Sequence, residues 1–459
     1  MTPLDQPLSC FKAYDIRGRL DEDLTEANAY RIGRAFADVL DAKRVVIGRD
    51  VRPSSEGLAG ALADGLMAAG VEVLDLGLSG TEETYFAVSH LNADGGICVT
   101  ASHNPMDYNG MKMVRANSAP IGSESGMAEI KALAESGAFR EEVPGGTIKD
   151  VSDTRVSYVE CLLGFVSTSA LKPLKILVNA GNGAAGPSFD AIADGLAKAG
   201  APWEFVRMHH TPDGSFPNGI PNPLLPENQP VTSEAVVREG ADFAVAWDGD
   251  FDRCFFFDHE GGFIPGEYVV GLLAEVFLTK TPGAKIVHDP RIIWSTQHVV
   301  SEAGGQAIMS QCGHSNIKQI LRDQDAVYGG EMSAHHYFRD FFYCDSGMIP
   351  WLLIGELLNR KNTTLKALME ERRTTFPSSG EVNFRVDDTG PVISRIESTY
   401  APQASSRDDI DGLSLSFDSW RFNLRSSNTE PLLRLNIEAK GNPELVAEKL
   451  DELRNMIQQ

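Results

Sequence analysis

The sequence predicts an α/β protein: three similar α/β mixed-sheet domains and a smaller C-terminal α+β domain, set around a central cleft. Three observations predict it. Apolar strand-like runs recur in three sets of three. Within each set, a helix-like segment ending in glycine separates the first strand from the second. The texture then changes near residue 371, where short alternating runs replace the strand–helix rhythm.

The first set is Val45–Asp50, Val71–Gly77 and Gly96–Thr100. The second is Lys175–Asn179, Trp203–Val206 and Phe243–Asp248. The third is Lys285–Asp289, Gln306–Met309 and Ala326–Glu331. The intervening segments, Leu58–Ala69, Ser188–Ala199 and Trp294–Ala303, stop at Gly70, Gly200 and Gly304, where a glycine just past the last turn ends a helix. Strands alternating with helices at this spacing imply βαβ units and mostly parallel sheets. In the tail, Leu413–Phe417, Trp420–Leu424 and Leu432–Ile437 alternate as strands of an antiparallel or mixed sheet. Val392–Ile396 suggests a short helix, and Asn442-Pro443 opens a closing amphipathic helix to Ile457. The expected domains are 1–149, 150–256, 257–370 and 371–459.

The third strand of each set runs into the most polar loop of its unit: TASHNP, DGDFDR and GEMSAHH. Three chemical loops at equivalent strand ends suggest one cleft, because ligand sites in α/β sheets gather at the carboxyl ends of strands. In the first loop, Ser102 can carry a covalent phosphoryl group and His103 can help move protons. A turn that merely caps a strand is the plainer alternative for SHNP alone. In the second, Asp248, Asp250 and Asp252 place carboxylates at alternate positions with glycine between, a pattern suited to a hard divalent cation such as Mg²⁺. An EF-hand fails on position, since Arg253 stands where its glycine belongs and His259 where its glutamate belongs. A haloacid-dehalogenase-type nucleophile fits poorly, because Asp252 replaces Thr or Val. The loop follows a buried strand, where three unpaired carboxylates are costly without a cation.

Glu331 and Ser333 offer hydrogen-bonding groups for vicinal hydroxyls, on one side of an extended loop. The adjacent His335 and His336 point apart on a strand or loop, which disfavours a two-histidine metal site. Near the C-terminus, RFNLRSSNTEP combines Arg425 with Ser427, Asn428 and Thr429, a loop that can cradle a phosphate or form an ordinary hairpin turn. Lys12, Tyr14 and Arg17 in FKAYDIRG supply further cationic and aromatic groups.

Composition sets outer bounds. The chain has 459 residues, 42% hydrophobic and 23% charged, with a net charge of −23. That balance opposes nonspecific binding to nucleic acid or anionic membranes, which calls for a basic face. The six cysteines are scattered without CxxC spacing, as in a reduced compartment with no structural disulfide or zinc site. MTPLDQPLSC lacks a signal-peptide pattern, and the most apolar run, Tyr268–Leu278, is short and contains Glu275. A cytoplasmic location without membrane or nucleic-acid partners is the expectation. Monomer and homodimer both remain open.

KAYDIRG, TASHNPxDYNGxK, DGDFDR, GEMSAH and RSSNTEP occur in that order along essentially the whole chain. Together they resemble the α-D-phosphohexomutase family, which includes phosphomannomutases and phosphoglucomutases. The resemblance implies a heart-shaped, four-domain isomerase with Ser102 phosphorylated and one Mg²⁺ held by Ser102, Asp248, Asp250 and Asp252. It implies that Arg253 stabilises the transferring phosphoryl group, and that His103 and Lys112 assist proton movement. Glu331, Ser333 and His335 would hold the sugar. Arg425, Ser427, Asn428 and Thr429 would hold the distal phosphate, with Lys12, Tyr14, Arg17, Arg291 and His314 as further substrate contacts. Arg291 stands where a lysine is often found. The implied reaction passes through a hexose 1,6-bisphosphate that also serves as activator. The run GEMSAHHYFRDF is closest to members acting on mannose phosphates, so mannose 6-phosphate and mannose 1-phosphate are the expected substrates. Glucose phosphates are the alternative. A metal-dependent sugar phosphatase and a non-catalytic sugar-phosphate binder are more distant ones.

Overall fold

The computed structural model describes residues 1–458 apart from Ala13, Ser123, Glu124 and the run 427–431. Ser427, Asn428 and Thr429 therefore lie outside the described residues. The chain forms two compact units. Unit one comprises Met1–Phe263 and Tyr337–Lys361; unit two comprises Ile264–His336 and Asn362–Gln459.

Unit one holds two α/β layers. The first sheet orders its strands Ile16–Arg19, Tyr108–Arg115, Gly95–Val99, Arg44–Arg49, Glu72–Leu78 and Thr147–Asp150. Arg44–Arg49 is parallel to both Gly95–Val99 and Glu72–Leu78, whereas Tyr108–Arg115 runs antiparallel to Gly95–Val99. The sheet is thus mixed, with the expected parallel core. Gly95–Val99 is buried along its whole length, so its end is a fixed platform for the next loop. The second sheet repeats the device with Phe243–Trp247 parallel to Leu174–Asn179 and antiparallel to Cys254–Asp258.

Helices Pro53–Ala68 and Ala185–Lys198 fill the crossovers, and Gly70 and Gly200 follow them with φ of 81° and 79°. Only a residue without Cβ takes that left-handed turn at little cost, which is why both helices stop there. Unit one also takes in helix Ile349–Lys361. Its Trp351 packs on Phe189, with ring centroids 5.6 Å apart, and its Asn359 accepts from the Lys172 amide at 2.8 Å.

In unit two, Lys285–His288 lies between Gln306–Met309 and Tyr328–Gly330, all parallel. The C-terminal sheet is antiparallel throughout, ordered Ser378–Arg385, Leu432–Ala439, Trp420–Ser426, Leu413–Ser416 and Ser406–Asp408. Helices Thr389–Tyr400 and Pro443–Ile457 contribute Ile396, Leu453 and Ile457 to its core. Asn442 caps the latter by accepting from the Leu445 amide at 3.0 Å.

Cys98, Cys254 and Cys344 are buried. Tyr268–Leu278 lies in the buried helix Gly266–Lys280, and no described helix is long and apolar enough to cross a membrane.

Candidate active site

Strand Gly95–Val99 delivers the chain into a turn in which Ser102 adopts φ of 50°, strained for a residue with a side chain. Its amide donates to the Thr100 hydroxyl at 2.9 Å. Its Oγ lies 2.8 Å from Asp248 Oδ2 and 3.0 Å from His103 Nδ1. Arg253 Nη2 sits 2.9 Å from that same Nδ1. A guanidinium only donates, so Nδ1 presents a lone pair and the ring hydrogen is on Nε2. Burial, and then the Arg253 charge, hold the His103 imidazolium pKa below its ordinary value, in keeping with a neutral ring.

Strand Phe243–Trp247, buried throughout, ends at Asp248. Asp248, Asp250 and Asp252 are all buried, and one oxygen of each lies within 4.8 Å of the others. The glycine between the first two has a steric reason. A Cβ on Gly249 would stand 2.5 Å from the Ser102 carbonyl oxygen, so only glycine lets the two loops touch.

Two of the three carboxylates are paired within the chain to one lysine. Lys112, on strand Tyr108–Arg115, donates to Asp250 Oδ2 at 2.7 Å and to Asp252 Oδ2. Burial alone would lower its pKa, but the two carboxylates hold it far above the ordinary lysine range. Lys112 is therefore an ammonium here, a charge partner of the acidic loop. Arg253 closes the other side, its Nε 3.2 Å from Asp248 Oδ2.

These residues fit a divalent cation. Three carboxylates face the two cations Lys112 and Arg253. Asp250 Oδ1 is buried without a hydrogen-bond partner. Burial, and then the Asp250 charge, push the Asp252 carboxyl well above its usual range. All the offered donors are oxygens, the set Mg²⁺ prefers.

Of the N-terminal candidates, Arg17 joins this site. Its Nη1 donates to the Thr100 carbonyl at 2.9 Å and its Nη2 pairs with Asp15 at 2.7 Å. Lys12 is exposed and donates to the Ser9 carbonyl at 2.9 Å; Tyr14 is half-buried. Three residues that drew no notice in the sequence also shape the site. Thr81 donates to Asp250 Oδ2 at 2.6 Å, and Asp50 and Arg52 brace the serine loop from behind. Their signal is position, since Asp50 and Arg52 follow the end of strand Arg44–Arg49.

Unit two carries the remaining candidates. Residues 331–335 form a tight turn rather than an extended loop: the Ala334 amide donates to the Glu331 carbonyl at 3.1 Å and the Glu331 amide to His335 O at 2.9 Å. The His335 ring links the pair expected to clamp hydroxyls. Its Nδ1 lies 3.3 Å from Ser333 Oγ and 3.6 Å from Glu331 Oε2. His336 turns away to Tyr328, as adjacent histidines should.

Arg291 is buried, its Nη2 2.7 Å from Asp289 Oδ2 and 3.7 Å from Glu331 Oε1. His314 begins helix His314–Gln324, and the preceding Gly313 amide donates to Glu331 Oε1 at 2.9 Å. Arg425 Nη2 pairs with Glu381 at 2.9 Å, and Arg291 and Arg434 each approach that carboxylate to 3.6 Å. Glu381 and Arg434 carried no motif. Glu381 pairs with Asn436, and Asn383 and Arg425 both pair with Arg434, so strand alternation puts Glu381, Arg425 and Arg434 on one face of the sheet.

Unit one thus sets a serine hydroxyl beside a neutral imidazole, an acidic cluster that could hold a cation, and a guanidinium 2.9 Å from the imidazole. Models of the phosphoglucomutase/phosphomannomutase family match four successive stretches: α/β/α domain I over residues 9–141, domain II over 156–262, domain III over 265–376 and the C-terminal domain over 381–456. The chain belongs to the phosphoglucomutase/phosphomannomutase family.

The family fixes the class as an isomerase that works by phosphoryl transfer, a metal-dependent phosphohexomutase. The phosphomannomutase of Salmonella typhimurium is 56% identical over 454 residues, covering 98% of this chain and 99% of that protein. The phosphohexose mutases protein of Xanthomonas campestris is 54% identical over 450 residues, covering 98% and 99%. The crystal structure of a phosphoglucomutase/phosphomannomutase family protein from Burkholderia thailandensis superposes with a TM-score of 0.87 at 34% identity, covering 98% and 97%.

Proposed function

We propose that this protein interconverts mannose 6-phosphate and mannose 1-phosphate through a phosphorylated Ser102 and a hexose 1,6-bisphosphate intermediate. The observation that carries the reading is the Ser102 hydroxyl, which donates to Asp248 while the lone-pair nitrogen of His103 lies 3.0 Å from its oxygen. Phosphoryl transfer asks for positioning and charge neutralisation more than for covalent help. When bound, Mg²⁺ on Ser102, Asp248, Asp250 and Asp252 would supply the charge neutralisation that a phosphoryl group on Ser102 demands.

The chain's own residues do the rest. His103 accepts the proton that leaves the attacking hydroxyl and returns it in the reverse step. Arg253 donates hydrogen bonds to the transferring oxygens. Glu331, Ser333 and His335 bind sugar hydroxyls. Arg291, His314 and Arg425 contribute sugar or phosphate contacts with Ser427, Asn428 and Thr429, and Lys12, Tyr14 and Arg17 add to them. We assign these roles to the domains 1–149, 150–256, 257–370 and 371–459 in turn: phosphoserine, metal, sugar and phosphate. The protein acts in the cytoplasm, as a monomer or homodimer, on a hexose phosphate.

The Glu331–Ser333 pair also leaves room for glucose phosphates. A clamp on hydroxyls that mannose and glucose share does not reject the 2-epimer. The Xanthomonas campestris relative carries the broader name phosphohexose mutases. A coupled assay on mannose 1-phosphate, glucose 1-phosphate and glucosamine 1-phosphate, primed with hexose 1,6-bisphosphate, tests the assignment. Mannose phosphate should turn over fastest, with glucose phosphate second. Turnover of glucosamine phosphate with none of mannose phosphate would overturn the sugar and leave the mutase.

A further inference from the structure

Four carbonyl oxygens of the serine loop converge on one buried guanidinium. Arg52 Nη2 donates to Ser102 O at 3.0 Å and to Asn104 O at 2.5 Å, while Nη1 donates to Pro105 O at 2.8 Å and to Tyr108 O at 3.2 Å. Its side chain is 1% exposed. Carbonyl dipoles aimed at one point repel each other, so the loop holds this shape only with a cation at the focus. Arginine is required in particular. Its planar fork reaches four acceptors at fixed directions, which a point-like ammonium with three hydrogens does not.

The guanidinium is itself held from two sides. Asp50 Oδ1 accepts from the Arg52 amide at 3.0 Å and from Ser55 Oγ at 2.5 Å. Asp50 Oδ2 lies 3.5 Å from Arg52 Nε and accepts from the Ala101 amide at 3.3 Å. The guanidinium also stacks over the ring of Phe216, 5.6 Å from its centroid. Phe216 belongs to the second α/β layer of unit one, the layer that carries Asp248.

Ser102 O is thus caught between Arg52 and Gly249, where any Cβ would stand 2.5 Å from it. That grip fixes the Ser102 backbone at its strained φ and aims Oγ at Asp248 and His103. We infer that Arg52 is a positioning residue for phosphoryl transfer, holding the nucleophile in line by binding the carbonyls of its loop. It touches no reacting atom. The inference rests on the reading of Ser102 as the phosphorylated nucleophile.

A positioning role and a merely structural one differ in what they move. Displacing a nucleophile by about 1 Å costs on the order of a hundredfold in rate while leaving substrate contacts in place. The test measures kcat, KM and Ser102 phosphate occupancy by peptide mapping in purified Arg52→Lys and Arg52→Ala, with Ser102→Ala as control. Arg52→Lys should lose roughly 30- to 100-fold in kcat with KM within about threefold. Arg52→Ala should lose more and regain activity with millimolar methylguanidinium, but not with ammonium. If Arg52→Ala does not fold, Arg52→Lys decides. A folded Arg52→Lys with kcat within about threefold of the parent, or one whose loss appears in KM instead, overturns the inference. A fully active Ser102→Ala would sink the phosphoserine reading itself, which keeps the two failures apart.

Discussion

In unit one the carboxylates beside Ser102 crowd together at one point; in unit two those around Glu331 and Arg425 are spread among as many guanidiniums. Asp248, Asp250 and Asp252 crowd one oxygen each within 4.8 Å of the others, and Asp250 Oδ1 is left without a hydrogen-bond partner. Arg291, Arg425 and Arg434 face Asp289, Glu331 and Glu381, so the second balances itself. The difference teaches how each site meets its ligand. A crowded acidic pocket with an unpartnered oxygen gains from a divalent cation. A balanced arginine cluster takes up an anion by exchanging it for one of its own carboxylates, and Glu381 is the half-exposed one that touches all three arginines.

Removing the metal should break the comparison most severely. Exhaustive chelation should abolish turnover and added Mg²⁺ restore it. Asp250→Asn should lower kcat at least about a hundredfold and weaken Mg²⁺ binding measured by calorimetry. Full activity after chelation would mean that Lys112 and Arg253 suffice.

Arg425→Ala comes next and should act on binding. A charged hydrogen-bonded contact is worth about 2 kcal/mol, so KM for hexose phosphate should rise roughly 30-fold with kcat little changed. Unchanged KM would remove this residue from the phosphate site.

Much of unit one was legible because its chemistry lies in contiguous runs that follow buried strands. SHNP follows Gly95–Val99 and DGDFDR follows Phe243–Trp247, and a strand of fixed register determines where its loop begins. The helix stops at Gly70 and Gly200 were legible for the same local reason. What stayed hidden was long-range. Arg52 meets Ser102 fifty residues away, and Lys112 finds its aspartates across the two layers. In unit two Glu381 and Arg434 sit in strands with no motif, and only the pairing of separate strands brings Glu381 to Arg425. The turn at 331–335 stayed hidden as well, because Ala334 takes φ of 70°, unusual for alanine.

A milder contrast concerns pH. Burial pushes the Glu82 carboxyl up to about 8, although Tyr158, Ser346 and the amides of Gly347 and Met348 all donate to it. A carboxyl raised above its ordinary 4.5 binds more protons in the native state than in the unfolded chain. Its stabilising contribution is therefore complete below 4.5 and lost as pH rises through about 8. Glu82→Gln removes the titrating carboxyl and keeps an oxygen for the two amides. Urea midpoints between about pH 5 and about pH 9 should fall less steeply in this variant than in the parent. Parallel profiles would remove Glu82 as the cause.

The smallest expected effect is at Glu381. Glu381→Gln removes the carboxylate that an incoming phosphate must displace, so KM should fall by roughly threefold. A rise in KM would show that Glu381 holds the arginines in place instead of competing for them.

The account stands or falls on where the phosphoryl group resides. The most direct measurement is peptide mapping by mass spectrometry after the purified protein is incubated with hexose 1,6-bisphosphate, alongside Ser102→Ala. One phosphate on Ser102, with turnover in Ser102→Ala reduced by at least about a thousandfold, is the predicted result. Phosphate found consistently on another residue, with Ser102→Ala fully active, would contradict it.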